Sequence, residues 1–192
     1  MATLPSAYLS PEEYLERERK AETKSEYIRG EIFAMAGASR RHGLIVTNLV
    51  RELSEATRRR ECTVYSGDLR VAVLATELYT YPDVVVVCGE EKYIDGEFDT
   101  LLNPTLIIEV LSDSTRDYDR GRKFENYRAI PPLREYLTLA QDNIHVEQWT
   151  RQQDQRWLLT EYSDRAATLT LESLGVQLSV ADIYEKIDLP PV

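Results

Sequence analysis

Two carboxylates interrupt the most apolar stretches of this chain. Pro82-Asp83 opens the run Asp83–Val87, and roughly two dozen residues later Glu109 sits inside Thr105–Leu111. An ionised carboxylate in an apolar strand is costly unless a cation, a metal or a dense set of hydrogen bonds compensates it. Lys123 follows in the polar segment just beyond. Hard divalent cations such as Mg²⁺ take one or two carboxylates together with water and phosphate oxygens. Two strand carboxylates and a lysine fit a metal-assisted hydrolytic site acting on phosphodiesters. They fit two buried ion pairs as well.

Alternation along Thr105–Leu111 puts Glu109 on one face with Ile107 and Leu111, and Leu106, Ile108 and Val110 on the other. Both faces are apolar, so the strand is expected to be central and Glu109 nearly buried. Pro-Asp alone is a common entry to a strand or turn; Asp83 draws its weight from Val84–Val87 behind it, which predict a neighbouring central strand. Asp119, Lys123 and Tyr127 recur at i, i+4 and i+8 and share a helical stripe. One reading of that stripe is a routine Asp–Lys pair worth about 0.3–0.5 kcal/mol. The other has Lys123 reach a metal site, orient the attacking water and offset charge on the phosphate. His42 leads the apolar face of its helix, as a core or helix-end histidine or as a support of the site. Asp68 points away from the stripe Leu69, Val71, Val73; it reads as a solvated hairpin residue, or as a ligand if pairing brings it to Asp83.

These residues need elements to hold them. Ser10-Pro11-Glu12-Glu13 starts a helix with a capping serine, proline at the first position and glutamate three residues after the cap; it is expected to run to about Lys24. Glu26–Ile28 and Glu31–Met35 flank Arg29-Gly30 as a hairpin. A second helix follows Ser39, with His42, Ile45, Val46, Leu49 and Leu53 on one face, and ends near Arg58–Arg60. Thr63–Leu74 reads as one alternating strand, with Arg70 on its polar face, antiparallel to Tyr81–Cys88. Gly89–Asp99 reads as a surface loop. Ser112–Thr115 is rich in capping groups and predicts a helix over about Arg116–Arg128, stopped by Pro131-Pro132. A β meander over Glu135–Ala140, Ile144–Thr150, Arg156–Tyr162 and Thr168–Leu171, then a short helix from Val180 to Lys186, completes the chain. The order predicts an α/β (α+β) domain spanning residues 1–192: a mixed sheet flanked by helices, with a C-terminal antiparallel meander.

With 192 residues, 43% hydrophobic and 29% charged, the composition is that of a globular domain. No segment approaches the roughly 20 apolar residues that span a bilayer, and the first residues lack the pattern of a signal peptide; the expectation is a cytoplasmic protein without membrane contact. Cys62 and Cys88 form no CxxC pair and read as two reduced thiols. The net charge of −10 argues against a sequence-independent DNA coat. Its distribution is uneven: residues 61–110 carry two basic and ten acidic side chains, whereas Arg40-Arg41, Arg58–Arg60 and Arg116, Arg120, Arg122 with Lys123 form basic groups. A small metal-dependent site is compatible with this balance.

Glu26–Ser39 with His42, Tyr81-Pro82-Asp83, Asn103–Ser112 and Tyr118–Tyr127 together resemble the Uma-type family of bacterial restriction-endonuclease-like proteins, over roughly Tyr14 to Tyr184. The resemblance implies the PD-(D/E)XK nuclease fold, a four-stranded mixed sheet flanked by helices with the metal site where two central strands splay. By position Asp83 matches the motif's aspartate and Glu109 its second acid, both as ligands of Mg²⁺ or Mn²⁺. The usual lysine lies two residues after that acid, where this chain has Leu111. Lys123 looks like the migrated lysine of related families. The implied catalytic set is Asp83, Glu109 and Lys123, with His42, Asp68, Asp119 and Tyr127 as supporting residues.

Three functions follow from these residues. The first is a metal-dependent DNA endonuclease hydrolysing phosphodiester bonds, in a chain that could pair as a homodimer. The second is a catalytically inactive nuclease-like fold that serves as a nucleic-acid or protein interaction module, which the acidic charge and Leu111 favour. The third is a structural ion-pair network in an acidic homo-oligomer.

Overall fold

The computed structural model describes residues 8–35, 37–112 and 116–189. Helix α1 (Pro11–Glu18) carries the expected capping box: the Ser10 hydroxyl accepts the Glu13 N–H and the Glu13 carboxylate accepts the Ser10 N–H. It stops at Glu18, short of Lys24. There the Glu18 carboxylate accepts the Ser25 N–H at 2.8 Å and the Tyr81 hydroxyl at 3.0 Å, drawing the chain back into the sheet. Strands β1 (Ser25–Ile28) and β2 (Glu31–Ala34) form the hairpin, with φ of 47° at Arg29 and 92° at Gly30. Two central residues with positive φ give the turn whose twist matches the strands, and glycine takes the second position without steric cost.

Helix α2 (Arg40–Thr57) is capped by Ser39 and buries Ile45, Leu49 and Leu53. The expected single strand Thr63–Leu74 is instead two, β3 (Cys62–Ser66) and β4 (Arg70–Val73), because the chain turns at Gly67-Asp68, where the Gly67 N–H bonds the Asp83 carbonyl. Each half enters a different sheet. Strands β5 (Leu78–Thr80), β6 (Val84–Cys88), β7 (Thr100–Leu101) and β8 (Leu106–Leu111) follow. Arg70, expected on a polar face, is buried: its guanidinium donates to the Thr100 hydroxyl at 2.9 Å and the Tyr81 hydroxyl at 2.7 Å, and it pairs with Asp99.

The helical segment after β8 is interrupted: α3 (Arg116–Tyr118), a π-helical turn over Asp119–Lys123, and α4 (Phe124–Tyr127). Of the expected capping residues, Asp113, Ser114 and Thr115 lie outside the described residues. Strands β9 (Glu135–Ala140), β10 (Val146–Arg151) and β11 (Trp157–Tyr162) make the meander. The expected fourth meander strand, β12 (Thr168–Leu171), pairs instead with β13 (Val176–Ser179), which the sequence reading missed, and α5 (Val180–Ile183) closes the described chain.

The main sheet runs β11-β10-β9-β8-β6-β3, six strands where the resemblance implied four, and a second runs β2-β1-β5-β4-β7. Strands β8 and β9 are parallel, and the other main-sheet pairs are antiparallel. A parallel pair needs a crossover, and here α3, the π turn and α4 supply it. One face of the sheet packs Val84, Val86, Ile108 and Leu137 against α2 and the C-terminal elements. The other packs Val85, Val87, Ile107 and Tyr136 against Phe124 and Tyr127 of α4 and against residues of the second sheet.

Cys62 and Cys88 are not reduced thiols: they form a disulfide. The β3–β6 register sets them directly opposite, 4.0 Å apart at Cα, flanked by the Gly89 N–H to Glu61 carbonyl bond. This is the wide, non-hydrogen-bonded kind of pair, in which facing side chains are closest. The separation of 26 residues hides the pairing from any local motif. Among the described residues no helix is long and apolar enough to cross a membrane.

Candidate active site

Glu109 stands in the middle of the main sheet, all six residues of β8 being buried. It projects, as alternation requires, onto the face that carries Ile107, and the crossover brings Tyr127 and Lys123 down onto it. The Tyr127 hydroxyl donates to Glu109 Oε1 at 2.8 Å, and Lys123 Nζ lies 3.0 Å from the same oxygen. Lys123 is itself 4% exposed. Two other carboxylates hold it, Glu26 Oε1 at 2.9 Å and Asp119 Oδ1 at 3.5 Å. Three carboxylates thus converge on one ammonium in a space nearly closed to water.

The electrostatics follow from that count. Burial pushes the Glu109 carboxyl up to about 8; Lys123 opposes the shift, while Asp119 and Asp83 add to it. Burial alone would lower Lys123, but Glu109, Tyr127, Glu26 and Asp119 outweigh it and hold the ammonium well above its ordinary range. Burial also raises Tyr127 and Tyr136, and moves Tyr118, beside Glu26, up to about 12. The site carries a surplus of negative charge, which a proton on Glu109 relieves in the absence of a metal.

Asp83 sits one residue ahead of β6. Extending the Val84↔Ile108 pair by one residue sets it across from Glu109. Its Oδ2 accepts the Val110 N–H at 2.7 Å, and its Oδ1 accepts from His42 Nε2 at 2.8 Å. His42 is three residues ahead of Ile45 on α2, so the stripe that packs the helix on the sheet carries the imidazole to the strand end. The backbone N–H of His42 donates to Ser39 Oγ at 3.1 Å, which caps the helix.

The supporting residues divide. His42, Asp119 and Tyr127 each touch a member of the expected catalytic set. Asp68 does not: it is exposed on the turn between β3 and β4 and pairs with Lys24. Leu111, at the motif's lysine position, is fully buried in the sheet packing. Lys123 enters from the π turn instead. Such turns widen a helix by one residue and recur at functional sites; the five residues of this one run from Asp119 to Lys123.

Sequence reasoning missed Glu26 as a site residue. Its neighbours Tyr27 and Ile28 look like an ordinary hairpin, and only the packing of the second sheet against the crossover turns its carboxylate inward. The Thr80 hydroxyl also donates to Glu26. A second cluster lies two strands away from Glu109: His145, Glu147 and Glu161 bring one ligating atom each within 4.8 Å of one another. Arg120 already occupies it, 3.1 Å from Glu147. Beside the N-terminus of α2, a cleft of about 390 Å³ is lined by Ser39, Arg40, Arg41, Gln141 and Asp142.

Comparison with known proteins agrees with this architecture. Residues 11–181 match the model of the Uma2 family, described as "Putative restriction endonuclease". The protein sll1609 of Synechocystis sp. (strain PCC 6803) is 41% identical over 176 residues, covering 92% of this chain and 99% of that protein. From the same organism, slr1290 is 37% identical over 182 residues, covering 94% and 93%. A crystal structure from Anabaena variabilis ATCC 29413, described as "a putative nuclease belonging to DUF820", superposes with a TM-score of 0.74 at 19% identity, covering 91% of this chain and 96% of that one. At that identity the likeness establishes the fold.

Proposed function

This chain belongs to the Uma2 family of restriction-endonuclease-like proteins, and from that premise we propose that it is a Mg²⁺- or Mn²⁺-dependent DNA endonuclease hydrolysing phosphodiester bonds. One observation carries the reading: Lys123 stands 3.0 Å from Glu109 although it has left the strand position where the fold usually keeps its lysine. The donors suit a hard cation, since Asp83 and Glu109 offer carboxylate oxygens and the surrounding carboxylates outnumber the one ammonium. Asp83 and Glu109 would hold the ion. When bound, such an ion lowers the pKa of a water and screens charge on the phosphate.

The remaining work falls to this chain's own side chains. His42 and the Val110 N–H fix Asp83. Tyr127 fixes Glu109. Lys123 orients the attacking water and offsets the charge that grows on the phosphate oxygens. Arg40 and Arg41 meet the DNA backbone at the cleft beside His42, and the net charge of −10 keeps that affinity modest and salt-sensitive.

The test is cleavage of DNA by purified protein with Mn²⁺. Glu109→Ala and Lys123→Ala, each checked for folding by circular dichroism, should lower the rate by about 10²–10³. Undiminished cleavage in both refutes the assignment. The acidic charge and Leu111 favour a second reading, an inactive nuclease-like module that binds nucleic acid or protein. Binding without cleavage of any DNA form would establish it.

A further inference from the structure

Resting on the nuclease reading, we propose that Glu26 is the positioning residue of Lys123: it replaces, from the second sheet, the rigid anchorage that the lysine lost by leaving the strand. In the usual arrangement the sheet itself aims the lysine, two residues from the second acid on the same face. Here that position is Leu111, and Lys123 stands on a π-helical turn. A long side chain on a helix has rotamer freedom that a helix alone does not remove.

Glu109 cannot be the permanent anchor. In the proposed mechanism Glu109 would hold the metal, so its carboxylate is not the lysine's alone. The lysine must then be held by something that does not bind the metal. Two of its three carboxylate contacts are close, Glu26 at 2.9 Å and Glu109 at 3.0 Å, with Asp119 at 3.5 Å, and Glu26 is the close one outside the proposed metal-binding pair. Glu26 is fixed in turn. Its backbone is paired to Phe33 across the β1–β2 hairpin, and its carboxylate accepts from Thr80, which is fully buried and stands three residues ahead of Asp83. The Glu26–Lys123 ion pair therefore ties the second sheet to the crossover, and the same ammonium lies 3.0 Å from Glu109 of the main sheet. Glu26 holds the ammonium facing the space where phosphate and water would come together.

The test uses the full chain with Glu26→Gln and Glu26→Asp. With Mn²⁺ and DNA, Glu26→Gln should lower kcat by about 10²-fold, the usual effect of misplacing a reacting group by about 1 Å. KM and Mn²⁺ affinity by titration should stay within about threefold in the same variant. Glu26→Asp should recover part of kcat. A metal-free measurement stands beside these: the ¹H–¹⁵N signal of the Lys123 ammonium, one of five lysines, should be lost or strongly shifted in Glu26→Gln and retained in Glu109→Gln. A wild-type kcat in Glu26→Gln overturns the proposal, and so does an unmoved Lys123 signal. A tenfold loss of Mn²⁺ affinity would make Glu26 a metal ligand and overturn it too. If the wild type cleaves no DNA, the nuclease reading fails, while the ammonium signal still decides whether Glu26 anchors Lys123.

Discussion

Replacing Glu109 by glutamine should stabilise the metal-free protein by an amount that grows as the pH rises above about 5. The carboxyl is 4% exposed and moved from 4.5 to about 8, chiefly by burial. A group whose pKa is higher folded than unfolded binds its proton more tightly when folded, so its contribution is intact below the unfolded pKa and is lost as pH rises through the folded one. At about 1.4 kcal/mol for each pKa unit, ionising Glu109 costs the fold on the order of 3–5 kcal/mol by pH 9. Glu109→Gln keeps an oxygen for Tyr127 and Lys123 and leaves Lys123 its pairs with Glu26 and Asp119. The assay is thermal or urea unfolding in chelator from pH 5 to 9, read as variant minus wild type, which cancels the ordinary carboxylates. The difference should be small at pH 5, grow through pH 7 and level off above 8, reaching a Tm gain of about 10 °C. Millimolar Mg²⁺ or Mn²⁺ should raise the wild type at pH 8 and leave the variant unmoved. Parallel curves across the whole range, or a variant less stable at pH 9, would refute the charge-surplus reasoning.

Other perturbations separate the parts of the structure. Lys123→Met leaves three carboxylates facing one another without their cation, and should cost about 3–5 kcal/mol at pH 8 and less at pH 6, measured by urea unfolding. Reducing the Cys62–Cys88 disulfide, whose ends are 26 residues apart, releases a loop worth about 3.5 kcal/mol in the chain-entropy account; the Tm should fall by about 7–14 °C, and a melt unchanged by complete reduction would contradict it. His42→Ala removes the side chain on Asp83 Oδ1; it should weaken Mn²⁺ binding several-fold by titration while the Lys123 ammonium signal stays in place. Arg40→Ala with Arg41→Ala should flatten the salt dependence of DNA binding by up to about two phosphate contacts, with Glu109-dependent thermal behaviour unaltered.

Local signals fixed much of this protein in advance. Capping groups placed the starts of α1 and α2, Arg29-Gly30 announced its hairpin, unbroken apolar runs located β6 and β8, and the period-3.6 pattern located the buried face of α2. The carboxylate of Glu109 stood out because nothing local could compensate it, which is what a buried charge looks like in a sequence. Tertiary structure decided everything that depends on register between distant segments. Gly67-Asp68 split one alternating run into strands of two sheets, burying Arg70 and leaving Asp68 in solvent. The pairing of β3 with β6 brought two isolated cysteines face to face. Glu26 became part of the site only because the second sheet packs against the crossover, and Lys123 reached Glu109 only because a parallel pair of strands forces a helix back across the sheet. Periodicity reports which way a side chain points relative to its own element. Which element it then meets is set by packing, and the chemistry of this site lies in those meetings.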